Sequence, residues 1–148
     1  ITSPYNRNFE HNIYYFTDQY FDTIKKIVNY AEKLNIKVIL IKQGFYINPK
    51  IQKELDGQSI EELLDALKNI NKIKKYNLNY EKKFWLLTMT ILNKQLERFY
   101  NNKNVILVDP LNELILNKKN FQDDFLHMSD AGNRIISDAI YEKIRKEF

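Results

Sequence analysis

The chain contains no cysteine, which excludes disulfides, thiolate metal sites and a cysteine nucleophile. It has only three glycines, three prolines and one tryptophan, while Lys, Asn and Ile dominate. This is the mark of a coding bias laid over an ordinary globular pattern, and it makes composition a poor guide to partners. Long apolar runs are missing as well. The longest are strand-sized, such as Val38-Ile39-Leu40-Ile41, far short of the ~20 residues that span a bilayer as a helix.

What is present is enough for one core. With 148 residues, 44% hydrophobic and 14% aromatic, the chain reads as a single domain, or as the C-terminal part of one. The formal charge of +4 comes from lysines interleaved with acids, as in Glu81-Lys82-Lys83 and in Glu142-Lys143-Ile144-Arg145-Lys146-Glu147. Nucleic-acid binders cluster their basic residues on one face, so no nucleic-acid partner is expected. Composition leaves the compartment open.

Periodicity organises the rest. Residues 1–15 are polar and aromatic without a clear period and read as an irregular lead-in. From Thr17 or Asp18, apolar residues at Tyr20, Phe21, Ile24, Ile27, Val28, Ala31 and Leu34 follow helical spacing, with Asn35 as the stop. Ile36 to Ile41 reads as a strand covered on both faces, ended by Gln43-Gly44. Ser59 with Glu62 forms a capping box opening a helix. A further helix runs from about Tyr80 to Tyr100, and Asn104 to Val108 forms a second strand closed by Asp109-Pro110. The last helix starts near Ser129 or Asp130 and presents Ala131, Ile135, Ile136, Ala139, Ile140 and Ile144 to a core.

This alternation predicts an α/β fold with a parallel sheet and right-handed crossovers. Two parallel strands leave both edges open, so the expected sheet needs strands from an upstream segment or from a second chain.

The chemistry concentrates in one loop, Asp123-Asp124-Phe125-Leu126-His127-Met128-Ser129-Asp130-Ala131-Gly132-Asn133, between the second strand and the final helix. A carboxylate three residues before an imidazole can accept its Nδ1 proton at small closure cost, which frees Nε2 to act as a base. The candidate catalytic residues are therefore Asp124, to orient the ring, and His127, as general base and then acid. An isolated Asp-x-x-His is more often a pair of solvated loop residues. Its position after a strand's carboxyl end and before a helix raises its weight.

The run from Asp124 to Asn133 resembles the last block of the SGNH (GDSL-like) ester hydrolases, in which Asp-x-x-His is followed by a Ser or Thr cap, a Gly and the final helix. Lys37 to Gln43 looks like that family's penultimate strand and turn, Asn104 to Asp109 like its last strand, and Trp85 to Arg98, with Asn93, like the helix between them. The likeness covers about residues 17–146. It implies a three-layer parallel sheet with flanking helices, of the SGNH or flavodoxin-like kind, of which only the C-terminal strands and helices lie in this chain. It further implies a Ser-His-Asp acyl-enzyme mechanism that needs no metal or organic cofactor. The substrate it implies is an ester-bearing small molecule, O-acylated glycan or lipid, with transfer to another acceptor also compatible.

The family's Gly-Asp-Ser and Gly-x-Asn-Asp blocks do not occur in these 148 residues. Gly57-Gln58-Ser59 echoes the first, but no strand precedes it and Ser59 already caps a helix. Ser3, Ser129 and Ser137 also lack the strand-to-helix turn of such a nucleophile. An upstream segment is expected to hold the serine, and the chain alone is expected to be inactive. The alternative is a binding or interaction domain on the same scaffold that has lost its nucleophile.

Other residues have plainer readings. His11 lacks a second ligand at metal-binding spacing and reads as a surface residue. Phe45, Tyr46 and Trp85 could line an acyl pocket but in so aromatic a chain read as core. The run Lys72-Ile73-Lys74-Lys75 reads as a solvated helix end, and Asp109 as a structural strand-end residue.

Overall fold

Asn35 takes the left-handed conformation (φ 56°) directly after the first helix, and the Ile36 N–H donates back to Ala31 O at 2.9 Å. This six-to-one bond closes the helix C-terminus as the sequence predicts, since Asn tolerates that backbone region better than most side chains. The helix it ends, α1, spans Tyr5–Lys33. It therefore begins well before Thr17, and the expectation of an irregular lead-in is corrected. The computed structural model describes residues 5–46, 48–73, 76–123 and 126–147.

Strand β1, Val38–Ile41, pairs in parallel with β2, Val105–Val108, in a register that sets Val38 beside Val105 and Ile41 beside Val108. Three helices fill most of the crossover. In α2, Pro49–Asp56, the Asn48 side chain accepts the Lys50 N–H and Pro49 occupies the first turn, where its missing N–H costs nothing. In α3, Ile60–Lys68, the Ser59–Glu62 capping box is complete in both directions. In α4, Tyr80–Glu97, Asn79 accepts the Lys82 N–H at 2.9 Å. After β2 come a single helical turn, α5 (Leu111–Leu114), a 3-10 turn at Lys118–Asn120, and α6, Asp130–Glu147.

The larger core is helical. Leu55, Leu63, Leu67, Ile70, Leu86, Leu87 and Ile91 pack with Phe45 between α2, α3 and α4. Each fully buried leucine or isoleucine there contributes about 1.5–3 kcal/mol relative to exposure. A smaller cluster, Val28, Leu40, Leu96 and Phe99, ties α1 and α4 to the sheet.

The three-layer parallel sheet with flanking helices is not what forms. Among the described residues there is one two-stranded sheet in a mostly helical chain. The physical reason is where the apolar surface goes: the crossover spends its leucines on helix–helix contacts and contributes no further strand. Two expected apolar faces are also only partly used. On α1 and just past its end, Val28 and Ala31 are buried while Ile27 and Leu34 are about half exposed, at 51% and 53%. On α6 only Gly132 is buried; Ile135, Ile136, Ala139, Ile140 and Ile144 are half-buried and Ala131 is exposed. Among the described residues, no helix is long and apolar enough to cross a membrane.

Candidate active site

Gly132 sets where α6 begins. A Cβ built at this position would stand 2.1 Å from the backbone oxygen of Asn120, so only glycine lets the first turn of α6 lie against the 3-10 turn. The same Asn120 oxygen accepts the Ser129 N–H at 3.0 Å. Ser129 Oγ reaches Lys119 O at 2.6 Å and accepts the Gly132 N–H at 3.3 Å, while Ser129 O receives the Asn133 N–H at 2.8 Å. The Ser and Gly of the Asp-x-x-His block thus have a mechanical role, which is to weld the start of α6 to the preceding turn.

That weld holds the loop carrying His127. Phe121 and Met128 form an antiparallel bridge, the Gln122 N–H donates to His127 O at 2.8 Å, and Gln122 Nε2 donates to Met128 O at 3.1 Å. The backbone from His127 to Ser129 is therefore tied to Asn120–Gln122, and His127 itself is exposed. It lines a cleft of about 570 Å³. The opposite wall is Ile41, Lys42, Gln43 and Gly44 at the carboxyl end of β1, with Met89 of α4 and Asn133 and Ile136 of α6 completing it. Open α/β sheets gather their sites at this end of the strands.

The wall after β1 is held by two side-chain arrangements. Asn93, buried on α4, accepts the Gln43 N–H at 2.9 Å and donates to Gln43 O at 2.8 Å. Lys42 is buried, and its Nζ lies 2.5 Å from Glu97 Oε1 and 2.6 Å from Asp109 Oδ2. Burial alone would pull the Lys42 ammonium down, but hydrogen bonds to Asp109 and Glu97, with their charges, together outweigh it and hold Lys42 above the ordinary lysine range. Asp109 also accepts the Leu111 N–H at 3.1 Å, the structural duty expected of it.

A second cavity, of about 410 Å³, lies on the other side of Leu126, which lines both. Its walls are Phe45, Trp85 and Leu126, with Asn79, Glu81, Lys82 and Asp123 among its polar lining. Phe45 and Trp85 belong to the helical core or its edge, as expected, yet each also presents a surface to this cavity. Tyr46 instead meets Phe121 in a tilted ring contact, with centroids 5.7 Å apart.

Of the two predicted catalytic residues, His127 stands on the cleft wall; Asp124 lies outside the described residues. Ser59 and Ser129 are occupied as helix caps, and Ser137 is exposed on α6. Ser3, Lys74, Lys75 and the side chain of His11 also lie outside the described residues. No group of three or more His, Asp or Glu able to hold a metal ion occurs among the described residues. Lys42, Gln43, Met89 and Asn133 escaped the sequence reading as cleft residues. The abrupt change from the apolar strand to Lys42-Gln43-Gly44 is a signal for the first two alone. Searches against protein-family models, curated proteins and solved structures found nothing that matches this chain.

Proposed function

We propose that this chain supplies the histidine base of a serine-dependent carboxylic ester hydrolase or acyltransferase. The observation that carries the reading is the position of His127: its carbonyl tied to Gln122 and the next residue bridged to Phe121, it lines a cleft of about 570 Å³ at the carboxyl end of β1. A base must be held in place while its ring stays accessible, and this loop meets both needs.

In this reaction a serine from outside these residues attacks the ester carbonyl. His127 Nε2 takes the Ser Oγ proton as the C–O bond forms, then gives it to the departing alkoxide as the ester C–O bond breaks. In the second half His127 takes a proton from water or an acceptor alcohol, whose oxygen displaces the serine, and returns the proton to Ser Oγ. Asp124, three residues before His127, has the role of holding the Nδ1 proton. Asn133 and the Gln43-Gly44 segment bound the space around the acyl group.

The test is p-nitrophenyl acetate turnover by the full-length protein and by its His127→Ala variant. Loss of about 10²–10⁴-fold in kcat/KM is expected. Equal turnover by both, or none by the parent, removes the base role and leaves a cleft used for binding alone.

A further inference from the structure

Among the described residues, strand β1 is paired on one edge only, by β2. The Val38 N–H donates to Asn104 O and the Lys42 N–H to Val108 O, so the even-numbered residues of β1 face β2. Successive residues of a strand direct their backbone groups to alternate edges, which turns the N–H and C=O of Ile39 and Ile41 the other way. There they meet no hydrogen-bond partner among the described residues. Gln43, next in that series, is already bracketed by Asn93, so the open edge is confined to Ile39 and Ile41.

Open strand edges are normally guarded by lysines or proline. A lysine stands at each end of β1, but both are drawn toward the β2 side: Lys37 Nζ donates to Lys103 O, and Lys42 Nζ is held by Glu97 and Asp109. Between them lie only Val38, Ile39, Leu40 and Ile41. Apolar surface flanks the edge on both faces. Leu40 shares a buried cluster with Val28 of α1, so Ile39, 37% exposed, points to the opposite face. On the α1 side, the Phe21 ring lies 5.3 Å from that of Phe99 and against Arg98, so this flank of the helix meets the end of α4. Ile27, Tyr30 and, just past the helix end, Leu34 come round roughly 130° away. All three are more than half exposed, as is Ile36 in the turn to β1.

A lone peptide strand would cover the edge and leave the helix flank bare. A second copy of this chain covers both, because it carries the same strand edge and the same helix flank. We propose that β1 pairs antiparallel with β1 of a second copy about a two-fold axis at Leu40, which joins the two sheets in the order β2-β1-β1-β2. Opposed residues in an antiparallel pair exchange both backbone bonds at alternate positions. With Leu40 opposite Leu40 of the second copy, Ile39 stands opposite its Ile41 and Ile41 opposite its Ile39. These two pairs, with two bonds each, satisfy every backbone group of the open edge. The same register sets Lys42 against Val38 and not against another lysine, and it brings α1 beside its own copy. Such an interface is isologous, with one patch meeting itself.

The full-length protein is measured by sedimentation equilibrium beside two variants, Ile39→Lys at the edge and Leu116→Lys at an exposed position after α5. Twice the chain mass is expected for the parent and for Leu116→Lys. Ile39 is exposed and its backbone faces away from β2, so the single copy tolerates lysine there, with its circular dichroism unchanged. In the dimer the new charge should weaken association about 10- to 100-fold. Amide hydrogen exchange reads the pairing itself: the Ile39 and Ile41 amides should be protected in the parent dimer, and the Ile41 amide should exchange fast in Ile39→Lys. A parent that stays monomeric at every concentration overturns the proposal, and protection of both amides in that monomer would show that the edge is covered within its own chain. A dimer that survives Ile39→Lys, that is lost in Leu116→Lys, or that leaves both amides unprotected overturns it by placing the interface elsewhere.

Discussion

Asn93 and Gln43 are joined twice, the carboxamide of one bracketing the backbone N–H and C=O of the other at 2.9 and 2.8 Å. A side chain here does the work of a neighbouring strand, satisfying the backbone just where β1 runs out and the cleft begins. Asn93→Leu keeps the volume and removes both bonds. An unsatisfied buried polar group costs about 1–3 kcal/mol, so urea denaturation should show a loss of at least that order, with Asn93→Asp, which keeps the acceptor only, in between. Parent-like stability for Asn93→Leu would show that water replaces the bracket at no cost.

Lys42 draws Glu97 and Asp109 together, and Lys42→Met would leave the two carboxylates facing each other. Both are about half exposed, at 48% and 41%, so solvent screening limits the loss to about 1–2 kcal/mol. The pH sign follows from the raised lysine. Its contribution is complete below the unfolded value of 10.5 and is lost as pH rises through the higher folded value. The stability difference between parent and Lys42→Met should therefore be constant through neutral pH and narrow above pH 10.5; narrowing on the acid side instead would assign the coupling to the carboxylates.

Gly132→Ala is a substitution that helix propensity favours by about 1 kcal/mol. The carbonyl of Asn120 forbids it, because backbone cannot swing aside as a flexible side chain would. A net loss of about 1–3 kcal/mol is expected, read as a Tm lower by about 2–4 °C per kcal/mol. A variant as stable as the parent would mean that α6 can shift its seat freely.

Thr88 Oγ1 is buried with no hydrogen-bond partner among the described residues. Thr88→Val removes the stranded hydroxyl at nearly constant shape and should raise stability by up to about 1 kcal/mol. A destabilised variant would reveal a partner such as a buried water.

Tyr76 donates to Glu54 Oε1 at 3.1 Å, and burial first, then that hydrogen bond and the carboxylate's charge, push its phenol from 10.0 up to about 12. The unfolded chain releases this proton from pH 10.0 upward while the folded chain keeps it, so the stabilisation is whole below pH 10.0 and gone by about 12. Ultraviolet titration of tyrosinate should show a late component that Tyr76→Phe removes. If the variant's curve differs from the parent's near pH 10 instead, the phenol is not held by Glu54.

Where a fold decision was local, the sequence carried it. Asn35 after Leu34, Ser59 three residues before Glu62, and Asp109-Pro110 after an apolar run each act within one turn of chain, and each acts as read. The start of α2 at Asn48-Pro49 is equally local, but only Ile51 and Leu55 mark an apolar face in the eight residues that follow. The start of α1 is hidden for a similar reason: its first turns are rich in Asn and aromatics, and no stripe announces them. The alternation of strands and helices does not distinguish a three-layer sheet from a helical fold with two strands, since it occurs in both. For the site, His127 was legible from its neighbours. Lys42, Met89 and Asn133 were not, since only folding brings α4, β1 and α6 around one cleft.

The parallel pairing of β1 with β2 also has a price in time. Lys42 and Asp109, which meet just past the ends of the two strands, are 67 positions apart. Closing so long a loop costs entropy before any ladder bond repays it, whereas α3 and α4 are near neighbours in the chain. The helical hairpin is thus expected to condense early and the cleft to assemble near the end of folding. Substitutions that loosen the support of the cleft wall, such as Asn93→Leu, should then steepen the escape from the native state and leave the rate of reaching it almost untouched. In a stopped-flow chevron the unfolding arm should rise while the refolding arm stays in place.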